Sequence, residues 1–271
     1  IIRAAGLDTV RLPIKWSAHT SSTPPYKIDP AFMSRVETVV AQAQTAGLGV
    51  IIDIHHYEAL MENVGGETPR FLSMWDQIAT QFRNAPANVY FEVINEPIAP
   101  VTMADANRLY QRVIPVIRKT NPVRPLIMGG DDWNSIDTLD KVTWPKDPYL
   151  VATFHDYGPY NFTHQGASWM ESAPPTGRRW GRKDDLKELS DTYGVAMRFK
   201  KRTGLPVLVG EFGVIDVVPD AERARWMNTR RRTIEHAKMS WCAWDFAGAF
   251  KTYDLKRGAW FPGMLDALTG P

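Results

Sequence analysis

The 271 residues are 44% hydrophobic and 23% charged, with 32 Lys and Arg against 30 Asp and Glu. That balance excludes a disordered or collagen-like chain, and a formal net charge of +2 leaves no electrostatic footprint for nucleic acid. No apolar run reaches the roughly 20 residues of a membrane span, and the single Cys242 excludes an internal disulfide framework and a thiolate metal cluster.

The chain opens on I1-I2-R3-A4-A5-G6, which reads as the tail of a helix closed by glycine, with neither an initiator Met nor a signal segment before it. Residues 9–14, TVRLPI, predict a strand. Asp29-Pro30 opens a helix to about Ala46, with Phe32, Val36, Val39, Val40 and Ala43 at helical spacing. VIIDIHH at 50–56 predicts the second strand, and 71–83 a helix with Phe71, Trp75, Ile78, Ala79 and Phe82 on one stripe. VYFEVIN at 89–95 predicts a strand, 102–119 a helix, PLIMGG at 125–130 and YLVATFHDY at 149–157 two more strands, and 184–202 a helix. PVLVGEFG at 206–213 follows, then a helix from Asp220 to about Lys238 in which Arg230-Arg231-Arg232 reads as a solvated face. SWCAWDF at 240–246 is the last strand and 262–269 a closing helix.

Seven strands, each apolar on nearly both faces and separated by helical segments, predict a parallel sheet covered by helices. An α/β barrel of the (β/α)8 type, typically ~250 residues, fits the length as one domain over 1–271. The competing open doubly wound sheet lacks any G-x-G-x-x-G or phosphate-loop signature.

Polar residues fall where a barrel does chemistry. Arg11 lies in the first strand, and His55 and His56 end the second. Asn95 and Glu96 end the third, and His155 and Tyr157 the fifth. Glu211 is near the end of the sixth, and Trp244 and Asp245 near the end of the seventh. Ionisable groups inside apolar runs are costly unless paired, and clustering at C-terminal strand ends matches a catalytic rim. Asp53 and Glu92, inside their strands, call for buried partners. A zinc site from His55, His56 and His155 is weighed and set aside, because adjacent histidines on a strand point to opposite faces and no H-E-x-x-H occurs. No metal and no organic cofactor is expected. Glu96 and Glu211 are a carboxyl pair of the kind that flanks a glycosidic bond, one protonated and one ionised.

The motifs TVRLP, IIDIHHY, EVINEP, TFHDY with FTHQG, VGEFG and WCAWDF, in that order through almost the whole chain, resemble glycoside hydrolase family 5, the cellulase-type family. The resemblance implies Glu96 as general acid/base, Glu211 as nucleophile, and Asn95 as the ligand of the sugar 2-OH. It implies Arg11 beside the nucleophile, His55 after the family's third strand, His155 and Tyr157 flanking the carboxylates, and Trp244 under the sugar in subsite −1. It further implies retaining cleavage. Ten Trp within an aromatic content of 11% suit stacking on pyranose rings. Trp16, Trp133, Trp169 and Trp180, in loops after strands, are candidates for outer subsites, with loop packing as the competing reading.

The substrate implied is a β-1,4-linked polysaccharide, cleaved internally by an endo-β-1,4-glucanase. Alternatives are a β-mannanase or xyloglucanase of the same family, or a weakly active carbohydrate-binding barrel. No nucleic acid or membrane partner is expected, and a polymeric substrate implies a secreted enzyme. The family's first strand and most of its first helix have no counterpart before Ile1, so the domain reads as N-terminally incomplete. A seven-stranded barrel would leave an open edge for self-association to protect. One local expectation is sharper. Strict alternation would turn Asn95 and Glu96 to opposite faces, so both can serve one sugar only if the backbone is irregular at 95–97.

Overall fold

Apolar runs and capping residues place the elements of the computed structural model, which describes residues 1–271. A short 3-10 turn (Arg3–Ala5) precedes β1 (Thr9–Ile14), and a second (Trp16–His19) follows it. Asp29 caps α1 (Pro30–Thr45) by accepting from the Ala31 amide at 2.8 Å, with Pro30 supplying a preset first turn. Then come β2 (Gly49–Ile54), α2 (Glu58–Glu62), α3 (Val64–Gln81), β3 (Val89–Glu92), α4 (Met103–Arg118), β4 (Leu126–Met128) and β5 (Leu150–Asp156). The second half holds α5 (Tyr160–Thr163), α6 (Lys183–Thr203), β6 (Val207–Phe212), α7 (Asp220–His236), β7 (Ser240–Ala243), a hairpin of β8 (Tyr253–Asp254) and β9 (Ala259–Trp260), and α8 (Met264–Thr269).

Strands β1 to β7 form one sheet in strict chain order, β1-β2-β3-β4-β5-β6-β7. The pairs from β1 to β5 and the pair β6/β7 are parallel. A doubly wound sheet reverses strand order at its switch point. No reversal occurs here, so the open alternative falls and the barrel-type α/β arrangement stands. The segment between β4 and β5 departs from the repeat, with a 3-10 turn (Ile136–Lys141) in place of an α-helix. Helix α3 begins at Val64, well before the predicted 71, because Asn63 accepts from the Gly66 amide and starts it there.

The chain divides into two compact units, residues 1–153 and 154–271, the division falling inside β5. In the first, Val50, Ile52, Ile54, Phe91 and Val93 are fully buried with Trp75 and Ile78 of α3 and Val113 and Ile117 of α4. In the second, Val209 and Phe212 of β6 are buried, as are Ala196 and Phe199 of α6 and Trp226 and Ile234 of α7. Helix α7 corrects the reading of its basic run: Arg230 and Arg231 are buried and only Arg232 faces water. Arg231 donates to the Ala267 and Gly270 carbonyls at 2.9 and 2.8 Å, so it holds α8 against α7.

Arg124 is a comparable staple in the first unit. It is buried and donates to Asn121 Oδ1 at 2.8 Å and to the carbonyls of Phe82, Ala85, Pro86 and Val89 at 3.1, 2.9, 2.9 and 2.8 Å. Its guanidinium thereby closes the turn from α3 into β3. Arg124→Met leaves those acceptors without a donor, and the expected loss is about 3 kcal/mol of unfolding free energy. Urea unfolding should show a lower midpoint at an unchanged slope. An unaltered midpoint would show that the turn holds without it.

Candidate active site

In the first unit, register builds the site. Asp53 pairs with Glu92 across β2/β3 and with Pro13 across β1/β2. Side chains of paired residues share a face, and Arg11 shares the face of Pro13 two residues on. Arg11, Asp53 and Glu92 therefore converge. Arg11 donates to Glu92 Oε2 and Oε1 at 2.5 and 2.8 Å, lies 3.1 Å from Asp53 Oδ2, and donates to Asn95 Oδ1 at 2.7 Å. Glu92 and Asp53 are wholly shielded from water, so the cation between them is what makes two buried carboxylates tolerable.

Each bond also fixes a neighbour. A guanidinium only donates, so the Asn95 oxygen must face Arg11 and the amide nitrogen is turned away from it. His55 Nδ1 lies 2.7 Å from Asp53 Oδ2, and an ionised Asp53 holds the imidazole proton on Nδ1.

The backbone at 93–95 shows how Asn95 reaches Arg11 at all. In a regular strand, amides two residues apart bond the same neighbour. Phe91 and Val93 donate to Pro125 and Ile127 beside them, but Asn95 donates the other way, to Ile54 of β2. Alternation has slipped, and Asn95 turns to the face of Glu92. The irregularity expected at 95–97 thus begins earlier, as soon as β3 ends at Glu92. Asn134, fully buried, donates to the Asn95 carbonyl at 3.3 Å and braces the turn. It closes a run of three left-handed residues, Asp132, Trp133 and Asn134, with φ of 51°, 60° and 56°. Asn and Asp accept that conformation, whereas Trp seldom does. Sequence reasoning passed over Asn134; D-D-W-N after paired glycines was the available signal.

Glu96 follows, half-buried. Burial raises its carboxyl to about 7, even though Arg11, His55 and His56 pull it down. Near neutrality it therefore carries its proton about half the time.

In the second unit, Glu211 sits where β6 is irregular. Val209 pairs with Trp241 and Phe212 with Ala243, three residues against two, so the extra residue lies at Gly210–Glu211 and re-aims the glutamate. Glu211 is buried, and its Oε2 accepts from the Tyr157 hydroxyl at 2.7 Å, with His155 Nδ1 at 3.8 Å. Trp244 follows β7, its amide donating to Phe212 O at 2.9 Å and its peptide to Asp245 cis. Gly213 is required there: a Cβ would stand 1.8 Å from the Trp244 carbonyl oxygen. The Tyr157 ring is enclosed by Phe250 at 5.6 Å and His164 at 5.0 Å, and burial pushes His164 down to about 4, which keeps it neutral at ordinary pH.

The four outer tryptophans divide. Trp133 and Trp169 are 61% and 55% exposed and can present a ring face. Trp16 and Trp180 cannot, and their assignment as stacking platforms is corrected. Trp16 is sealed in the core, donating to the Asp53 carbonyl at 3.2 Å and packing edge-on to Phe32. Trp180 is buried beneath Arg225, whose guanidinium lies 5.3 Å from the ring.

The family model for cellulase (glycosyl hydrolase family 5) matches residues 1–249. The chain belongs to glycosyl hydrolase family 5. Within that family it is 36% identical over 252 residues to Endoglucanase H of Acetivibrio thermocellus, covering 93% of this chain but only 27% of that protein. It is 28% identical over 233 residues to Cellodextrinase A of Ruminococcus flavefaciens, covering 82% of this chain and 69% of the relative. Among solved structures it resembles Cel5A of Thermotoga maritima in complex with cellobiose, with a TM-score of 0.96 and 37% identity over 98% of this chain and 87% of the other. The same enzyme in complex with mannotriose gives a TM-score of 0.96 at 36% identity, over 98% of this chain and 87% of that one.

The family residue after Asn95 is thus a carboxyl held far above its ordinary range. Carbon-13 carboxyl shifts followed against pH in wild type and Glu96→Gln should show one titration with a midpoint near 7 that the variant lacks. A midpoint at the ordinary glutamate value would refute the shift.

Proposed function

We propose that this family 5 chain cleaves β-1,4-glucan internally, by a retaining double displacement with Glu96 as acid/base and Glu211 as nucleophile. The observation that carries the reading is the contrast between the two carboxyls. Burial holds the Glu96 carboxyl up toward neutrality, while the buried Glu211 accepts a hydrogen bond from the Tyr157 hydroxyl at its Oε2. Similarity to endoglucanases supports the substrate class.

The first step moves the Glu96 proton to the glycosidic oxygen as Glu211 attacks the anomeric carbon. The carbon–oxygen bond breaks, the downstream glucan leaves as an alcohol, and a glycosyl ester of Glu211 remains. Glu96, now ionised, takes a proton from water. That water attacks the same carbon and frees Glu211. Two displacements restore the original anomer and require the carboxyls to stand about 5 to 5.5 Å apart. Asn95, its amide turned by Arg11, donates to the sugar 2-OH and holds the −1 ring, while the 2-OH itself becomes a stronger donor as positive charge develops at the ring. Trp244 supplies the −1 platform, and Trp133 and Trp169 outer ones.

A β-mannan reading has one specific support, the mannotriose complex of the Thermotoga relative. The sugars differ at the 2-OH, equatorial in glucose and axial in mannose, which is the group Asn95 would read.

On carboxymethylcellulose, Glu96→Gln should reduce kcat by about 10²- to 10⁴-fold, and Glu211→Gln should abolish turnover, both with cello-oligosaccharide binding retained. The first product should carry the β anomer, and kcat/KM should fall as pH rises through about 7, where Glu96 loses its proton. An α anomer, or full activity in either variant, would refute the mechanism; faster cleavage of mannan than glucan would reassign the substrate. Trp133→Ala and Trp169→Ala should raise KM on long substrates with little change in kcat.

A further inference from the structure

Tyr157 stands between two residues that the proposed reaction leaves unused, and both are held by the same buried guanidinium. Arg230 of α7 is wholly shielded from water. Its Nη1 lies 3.1 Å from Asp156 Oδ2, and its Nη2 donates to the Gly158 carbonyl and, at 2.6 Å, to Glu188 Oε2 of α6. Other donors join the cluster. The Tyr193 hydroxyl donates to Asp156 Oδ2 at 2.7 Å, the Gly158 amide to Asp156 Oδ1 at 3.1 Å, and the Trp226 indole to the Gly158 carbonyl at 2.9 Å. The Trp226 ring lies beneath Arg230, 5.0 Å from its guanidinium carbon. A Cβ at Gly158 would stand 1.9 Å from Glu188 Oε1, so a larger residue there would push the Glu188 carboxylate aside.

The residue before Tyr157 and the residue after it are therefore both anchored to Arg230, and the Tyr157 carbonyl itself accepts from Thr163 Oγ1 at 2.6 Å. A tyrosine whose backbone is fixed on both sides has two side-chain torsions left, and Phe250 and His164 confine the ring. Its hydroxyl donates to Glu211 Oε2 at 2.7 Å.

We propose that Arg230 is a positioning residue for the reaction: by gripping Asp156 and the Gly158 carbonyl it aims Tyr157 at Glu211. This rests on the reading that Tyr157 and Glu211 take part in catalysis. A stability-only arginine would act independently of the tyrosine, whereas a positioning arginine acts through it. A lysine keeps the charge but has a single nitrogen, which cannot span Asp156, Gly158 and Glu188 together.

The test is a double-mutant cycle on cello-oligosaccharide hydrolysis with Tyr157→Phe, Arg230→Lys, Arg230→Met and the combined variants. Arg230→Lys and Arg230→Met should each lower kcat by about 10- to 100-fold, the loss that a displacement near 1 Å produces, with KM changed by less than about twofold. Added to Tyr157→Phe, neither should lower kcat further. Losses that multiply, or a wild-type kcat in Arg230→Met, would overturn the inference while leaving the roles of Tyr157 and Glu211 intact. A wild-type kcat in Tyr157→Phe would overturn the reading beneath it as well. If the Arg230 variants fail to fold, Tyr193→Phe decides, because it removes only one hydrogen bond from Asp156. It should lower kcat alone and not on top of Tyr157→Phe, and an unchanged kcat overturns the proposal.

Discussion

A guanidinium inside a parallel sheet is the constraint from which the polar cluster of the first unit follows. Arg11 is flanked by two carboxylates with no access to water, on strands whose register sets them side by side. Without the cation, Asp53 and Glu92 would be adjacent buried charges, and one would have to take a proton or the strands would have to part. With it, three strands are cross-tied through their side chains as well as their ladders. The same side chain has donors to spare, and it uses one to fix the Asn95 amide. One guanidinium thus ties the strands together and orients the Asn95 amide, and a substitution at Arg11 disturbs both.

The second constraint is the pleat. A β-strand gives alternate residues to opposite faces, and neighbouring residues cannot both serve one centre unless that rule fails locally. It fails twice here, at the end of β3 and within β6. Both failures sit beside a glutamate, and each is braced. Asn134 holds the Asn95 carbonyl, and Gly213 lets the Trp244 carbonyl lie close behind Glu211. Bulges at such places redirect side chains rather than weaken sheets.

Much of this is visible in the residues themselves. Seven apolar runs fall on the seven strands of the main sheet; β2 to β6 are buried almost throughout, whereas β1 and β7, at its ends, are only partly covered, and Asp29-Pro30 marks a helix start by its own chemistry. FEVINEP signals a break in alternation because an amide and a carboxyl cannot otherwise share a face. What stays hidden depends on tertiary neighbours. Trp16 looks like a surface platform until β2 supplies a carbonyl for its indole. Arg230 and Arg231 look solvated until α6, α8 and the loop after β5 bring acceptors to them. A side chain that can be exposed or paired reads the same in sequence, since its acceptors, the Ala267 and Gly270 carbonyls for Arg231 and the Asp156 and Glu188 carboxylates with the Gly158 carbonyl for Arg230, lie on other elements that only the fold brings to it.

The same limit explains why the carboxyl chemistry could be located but not graded. Glu96 lies near a guanidinium and two histidines, and proximity alone would predict a strong acid. Burial instead outweighs all three and holds the proton on toward neutrality. Of the three charges Arg11 pulls hardest, and it is held in place by the oxygens of Glu92, Asn95 and Asp53. Asp53 and Glu92 fix the guanidinium that pulls on Glu96, so their strand positions bear on that carboxyl although burial decides its direction.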